Sequence, residues 1–175
     1  GGTTPVGGWV TNAGSGTGGF TVTPGSSNAA YVNQTGVTYV GWTWDAGSST
    51  VTNTEGSITS RVRANASAGF SVVTYTGNDT SGASFGHGLG VAPHMVIVKT
   101  RGVVAGWMVW HRSASASNDH FLILNQTNAV STNSGYFQGV SSTTVTVGGS
   151  DNTNSSASPG LVAYCFAPVA GYSSF

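Results

Sequence analysis

Apolar and polar positions alternate along this chain with the period of β-strands. Between Val37 and Trp44, Tyr39 and Thr43 share one face, while Val40, Trp42 and Trp44 fill the other. That period of two predicts a half-buried strand. Phe70–Tyr75 is dense in β-formers and runs into Thr76-Gly77-Asn78-Asp79, a turn sequence. Met95–Lys99 is almost continuously apolar and follows Pro93; Trp107–His111, Phe121–Asn125, Val145–Val147 and Leu161–Phe166 complete the stronger set. Weaker strands are expected at Tyr31–Asn33, around Trp9-Val10 and Phe20–Val22, and in two pieces between residues 45 and 68, Thr50-Val51-Thr52 and Ser57–Arg63. Gly86–Pro93 is expected to form a rigid loop. No stretch carries a 3.6-residue apolar pattern, so helices are not predicted. Short strands separated by Gly, Asn, Asp and Ser turns predict an all-β fold, an antiparallel β-sandwich with jelly-roll-like character. The unbroken apolar runs fit strands buried against a second sheet.

The strand pattern also repeats. Val40-Gly41-Trp42-Thr43-Trp44 leads, after a polar insert, to Gly69-Phe70-Ser71-Val72-Val73. Val162-Ala163-Tyr164-Cys165-Phe166 leads, after a shorter connection, to Gly171-Tyr172-Ser173-Ser174-Phe175. Self-similarity of this kind points to domains strung along a longer polypeptide. It divides the chain into residues 1–68, extra strands or the remnant of a preceding repeat, and a sandwich domain over 69–175 that is truncated at its C-terminal side.

Composition sharpens the picture. Charged residues make up 6% of the chain and the formal net charge is zero, against about 25% charged in an ordinary soluble domain. Hydrophobic residues are 38% and aromatics 10%, which excludes the composition of a disordered chain. The surface is therefore neutral and rich in hydroxyl and amide groups, whose hydration does not depend on counter-ions. Five basic residues spread along the chain argue against a nucleic-acid partner, which needs clustered Lys and Arg. No apolar run approaches the roughly 20 residues of a membrane helix, so no membrane insertion is expected. The single Cys165 has no internal disulfide partner and reads as a buried structural thiol.

Candidate chemistry is thin. Gly82-Ala83-Ser84-Phe85-Gly86 matches the G-x-S-x-G nucleophile elbow, but no helix follows to build the turn that lifts the serine. Gly14-Ser15-Gly16-Thr17-Gly18-Gly19 matches a phosphate-binding pattern without the flanking strand and helix. His87, His94, His111 and His120 form no H-x-H or H-x-x-x-H pair, so satisfied or surface histidines are expected and no metal. Asp45, Glu55, Asp79, Asp119 and Asp151 are scattered, which disfavours a glycosidase pair. Asp79 and Asp151 are expected to shape turns. No cofactor and no catalytic residue are expected; the chain is not read as an enzyme. Trp107 and Trp110 fall on opposite faces of one strand, and an exposed tryptophan there is a candidate glycan contact.

Gly69–Asn78, then Gly86–Lys99, with the closing Val162–Ser173, resemble a repeated domain of large structural proteins of tailed bacteriophages, especially marine and aquatic ones. Tyr39–Trp44 and Asn53–Ser60 resemble the tail of a preceding copy. Two departures stand out: His94 occupies a position that is usually basic, and the pattern usually continues beyond the Gly-Tyr-Ser strand. The resemblance implies a virion component, extracellular in placement: a tail-fibre or surface-appendage domain presenting a host-contact surface. It implies copies of itself, most simply a homotrimer, together with other virion proteins and a host cell-surface glycan as partners. It carries no activity. A capsid decoration protein (a head fibre or cement protein) is the alternative, followed by a secreted carbohydrate-binding module or adhesin.

Overall fold

A computed structural model of the chain describes residues 9–12, 19–23, 33, 36–157 and 159–175. The chain divides into two compact units, Gly1–Thr43 and Trp44–Phe175. In the first, β1 (Trp9–Asn12) pairs antiparallel with β2 (Phe20–Thr23), Trp9 opposite Thr23 and Asn12 opposite Phe20.

The second unit is an all-β sandwich. In chain order it contains β3 (Val51–Asn53), β4 (Ser60–Asn65), β5 (Phe70–Tyr75), β6 (Ala83–Gly86), β7 (Met95–Thr100), β8 (Met108–His111), β9 (His120–Ile123), β10 (Ser131–Thr132), β11 (Phe137–Val140), β12 (Thr144–Val147), a one-turn helix α1 (Asp151–Asn154), and β13 (Leu161–Phe166). Eight strands form one sheet in the order β10-β9-β8-β7-β13-β5-β4-β3, and three form the other, β11-β12-β6. All strand pairs are antiparallel.

Alternation decides which face each side chain takes. Val62, Val73, Ala163, Val98 and Met108 stand opposite one another in a single row across the large sheet, and all are buried. A second inner row runs Ala64, Ser71, Cys165, Val96 and Trp110. These rows meet Ala83, Phe85, Phe137, Val145 and Val147 of the small sheet. The Tyr75 ring stacks on Phe85 at 4.1 Å, joining the two layers. Removing each of the valine, methionine and phenylalanine side chains among them from water stabilises the fold by about 1.5–3 kcal/mol before entropy is counted. At one edge Ile58 N–H donates to Ser84 O at 2.8 Å and the Ser60 hydroxyl to Gly86 O at 2.9 Å, tying the sheets together.

One end of the sandwich is closed by α1. Ser150 caps it, its hydroxyl accepting from Asn152 N–H, and the turn delivers Thr153 and Asn154 to the interior, both fully buried. Tyr75 OH donates to Thr153 O at 2.6 Å. Asn154 Nδ2 donates to Gly148 O at 2.8 Å and Thr80 O at 2.9 Å, and its Oδ1 accepts from Asn78 N–H at 3.0 Å. Gly77 passes so close that a Cβ there would lie 2.1 Å from Asn154 O, which accounts for a glycine in this turn.

Three expectations change. The domain boundary falls after Thr43 and not after residue 68, because β4 pairs with β5 along its whole length and carries β3 with it. Val37–Trp44 forms no strand: residues 37–47 have no regular structure, and Trp42 is 75% exposed. Its repeat counterpart, β13, is central because β5 and β7 flank it on both sides. Gly86 closes β6 and does not open the loop that follows. The strand expected at Tyr31–Asn33 and the Gly14–Gly19 pattern lie essentially outside the described residues.

Candidate functional site

The two candidate tryptophans have different fates. Trp110 is 6% exposed; its ring stacks on His120 at 5.4 Å and its Nε1–H donates to Asn118 O at 3.2 Å. It is a core residue and is withdrawn as a surface contact, since the inward alternation of β8 points it at the small sheet. Trp107, one residue before β8, takes the opposite face and is 36% exposed. Its backbone is held at both ends: N–H donates to Asn125 Oδ1 at 3.1 Å, and its carbonyl accepts from Leu124 N–H at 2.9 Å.

The histidines are spread and satisfied by backbone or side-chain partners. His87 is buried; Nδ1 accepts from Leu89 N–H at 3.3 Å, so Nε2 carries the proton and donates to Ser141 O at 3.2 Å. Burial holds its imidazole below the usual pKa, against the opposing pull of Ser141 and Glu55. His94 Nε2 accepts from Arg112 at 3.3 Å, leaving Nδ1–H to donate to Phe175 O at 3.3 Å. His111 Nδ1 accepts from Ser113 N–H at 3.2 Å. His120, buried, sits between the Ser117 and His111 carbonyls. Among the described residues no three His, Cys, Asp or Glu side chains are grouped as a metal site would need.

The carboxylates work locally. Asp79 has φ of 56°, a left-handed turn residue, and accepts from Ser156 N–H at 3.1 Å; Asp151 occupies the first turn of α1. Asp45 accepts from Gly47 N–H at 2.7 Å and from Asn65 at 3.1 Å. Glu55 accepts from Asn53 at 3.3 Å, and Asp119 from the Ser117 hydroxyl. Ser84 lies within β6, where no helix follows. Cys165 is fully buried on the inner face, and burial pushes its thiol up to about 12. Desolvation likewise holds the Tyr75 hydroxyl well above its ordinary value.

The feature that single-chain motifs did not disclose is the outer face of the large sheet. One row runs Thr52, Arg61, Thr74, Val162 and Lys99. Continuing the β7·β8 register by one residue beyond Val98 opposite Met108 sets Trp107 against Lys99. Arg101 stands two residues past Lys99, and with Arg61 it lines a depression of about 260 Å³ floored by Thr59, Thr74 and Thr76. The acceptors that these cations reach are neutral: Arg61 donates to Thr52 Oγ1 at 3.5 Å, Lys99 to Thr100 O at 2.5 Å, and Arg101 to Pro159 O. Arg61, Lys99 and Arg101 thus share one face, and Arg63 stands on the same face, its guanidinium donating to Gly47 O at 2.6 Å. A second outer row is largely apolar and half-buried: Val72, Tyr164, Ile97 and Leu122, with Val109 buried in it and Arg63 at its end. At the far end of the strands Trp44 packs on Phe70 at 5.9 Å and on Phe166 at 5.5 Å, and Phe175 joins Phe166 at 5.4 Å.

Residues 11–175 match the model of one protein family, described as a domain of unknown function, DUF7483. No curated protein and no solved structure matches the chain.

Proposed function

The chain belongs to the DUF7483 family, and from that premise we propose that it is a structural domain of a tailed-bacteriophage virion, part of a tail fibre or surface appendage that presents a host-contact surface. One observation carries the reading. The two sequences that occur twice are those of β13 and of the opening of β5, and these strands are neighbours in the interior of the large sheet, Leu161 opposite Tyr75 through Phe166 opposite Phe70. What is repeated is a pair of interior strands of the sheet, not an edge hairpin. A sequence that writes an interior strand pair twice supports a polypeptide made of an array of such sheets. An array suits projection from a particle, where many weak contacts add through multivalency. The resemblance of Gly69–Asn78, Gly86–Lys99 and Val162–Ser173 to phage structural repeats supports the same reading, and a homotrimer is its simplest assembly.

The test is localisation. Antibody raised against this chain, bound to purified particles and viewed by electron microscopy, is expected to mark fibres or appendages. Marking of the head at lattice-matched sites supports the capsid-decoration reading instead, and unlabelled particles refute both. Trp107, exposed on the outer face, favours sugar as the contacted chemistry.

A further inference from the structure

We propose that the outer face of the large sheet binds acidic polysaccharide, with Arg61, Lys99 and Arg101 holding the anionic groups and Trp107 stacking on a sugar ring. The inference deepens the host-contact reading and rests on it for its biological meaning. Three observations carry it. Arg61 and Lys99 lie in the same cross-strand row, separated by three strand spacings, about 14 Å, the reach of a short oligosaccharide. Arg61 and Arg101 flank one depression whose floor offers threonine hydroxyls, and a guanidinium fork beside hydroxyls is suited to carboxylate or sulfate among sugar hydroxyls. The register sets Trp107 at the Lys99 end of the row, and its backbone is pinned at both ends, so the ring is presented at low entropic cost. A ligand with anionic groups but no apolar ring face would leave Trp107 unused; a neutral sugar would leave the three cations unused.

Surface charge contacts are individually weak, about 0.2–1 kcal/mol each. A single sheet face therefore binds weakly, and an assembly of copies binds strongly. Contacts of this kind fade as salt rises and the screening length falls from about 10 Å at 0.1 M to about 3 Å at 1 M.

The experiment is affinity electrophoresis of the chain in gels containing alginate, a polyuronate, or dextran, a neutral glucan. We expect retardation in alginate, weakening with added salt, and none in dextran. The Arg61→Gln, Lys99→Gln, Arg101→Gln triple variant is expected to lose about tenfold or more in apparent affinity. Trp107→Ala is expected to lose a smaller factor that salt does not change. Arg112→Gln removes one cation beyond the other end of the strands, at the His94 contact, and is expected to bind as the parent does. Circular dichroism and thermal melting of each variant confirm folding; if the triple variant does not fold, Arg61→Gln and Lys99→Gln are read singly. No retardation in alginate, equal retardation in both gels, or a folded triple variant that binds like the parent overturns the proposal. Equal retardation by double-stranded DNA makes the face a general polyanion surface and overturns the sugar assignment. Alginate binding by a chain that does not label virions leaves this inference standing and removes the phage reading; virion labelling without alginate binding does the reverse.

Discussion

Asn154→Ala removes one side chain and breaks a hub. Asn154 is fully buried, and its amide reaches three backbone groups on two segments: Gly148 O at 2.8 Å, and, in the turn after β5, Thr80 O at 2.9 Å and Asn78, which donates its N–H to Oδ1 at 3.0 Å. The three losses are unequal. Thr80 O keeps a partner in Ala83 N–H at 3.2 Å, and Asn78 is exposed enough to recover water. Gly148 O lies in the interior and recovers nothing. A buried polar group left unpaired costs about 1–3 kcal/mol, and a lost hydrogen bond about 0.5–1.5 kcal/mol. The expected loss is therefore about 3 kcal/mol, or roughly 6–12 °C in Tm for a domain of this size. Urea unfolding followed by tryptophan fluorescence measures it. Asn152→Ala is the matched control, since Asn152 lies on the same turn but bonds only Ser150, and its loss is expected to stay under about 1 kcal/mol. Equal effects for the two variants, or a loss under about 1 kcal/mol for Asn154→Ala, would refute the claim that this amide holds the end of the sandwich together.

Burial lowers the pKa of His87, so as pH falls the unfolded chain takes up that proton first, from about pH 6.5 downward. Stability contributed by neutral His87 is thus complete above that pH and declines below it. The fall in urea midpoint between about pH 7.5 and pH 5.5 should be smaller in His87→Gln than in the parent; an equal fall refutes the assignment. Cys165, with its thiol pushed up to about 12 and no exposure, should resist an aromatic disulfide reagent in the native chain and react once guanidinium unfolds it. Native reaction at the rate of a free thiol would place it outside the core. Phe166 is 4% exposed and Trp44 52%, so Phe166→Ala should cost about 3–5 kcal/mol and Trp44→Ala clearly less, by the same unfolding assay; the reverse order would contradict their packing.

Much of the architecture was legible because strand faces obey a period of two. Phe70–Tyr75, Met95–Lys99 and Leu161–Phe166 are strands as their patterns predict, since a run of branched and aromatic residues has few other ways to bury itself. Val37–Trp44 has an equally good pattern and is not a strand. Pattern reports which face a segment would bury, while pairing needs a free strand edge to receive it, and the edges of β13 are already taken by β5 and β7. The short β10 and β11 and the helix α1 carried no usable signal, because each is only a few residues long and is held by partners distant in sequence, as Thr153 is by Tyr75 and Tyr136. Trp107 and Trp110 were separable only as opposite faces; which of them met the core depended on where the small sheet lies.

Read alone, the amino-acid order committed this chain to buried sheets, a neutral hydroxyl-rich exterior and an inert interior thiol, because alternation, composition and a single cysteine are local properties. It did not bring the cations together. Arg61 is far from Lys99 and Arg101 along the chain, and a count of five basic residues looked too sparse to form a patch. Only the order β7-β13-β5-β4 sets them on one face, since strand adjacency, which the tertiary fold decides, converts sequence distance into spacings of a few ångströms.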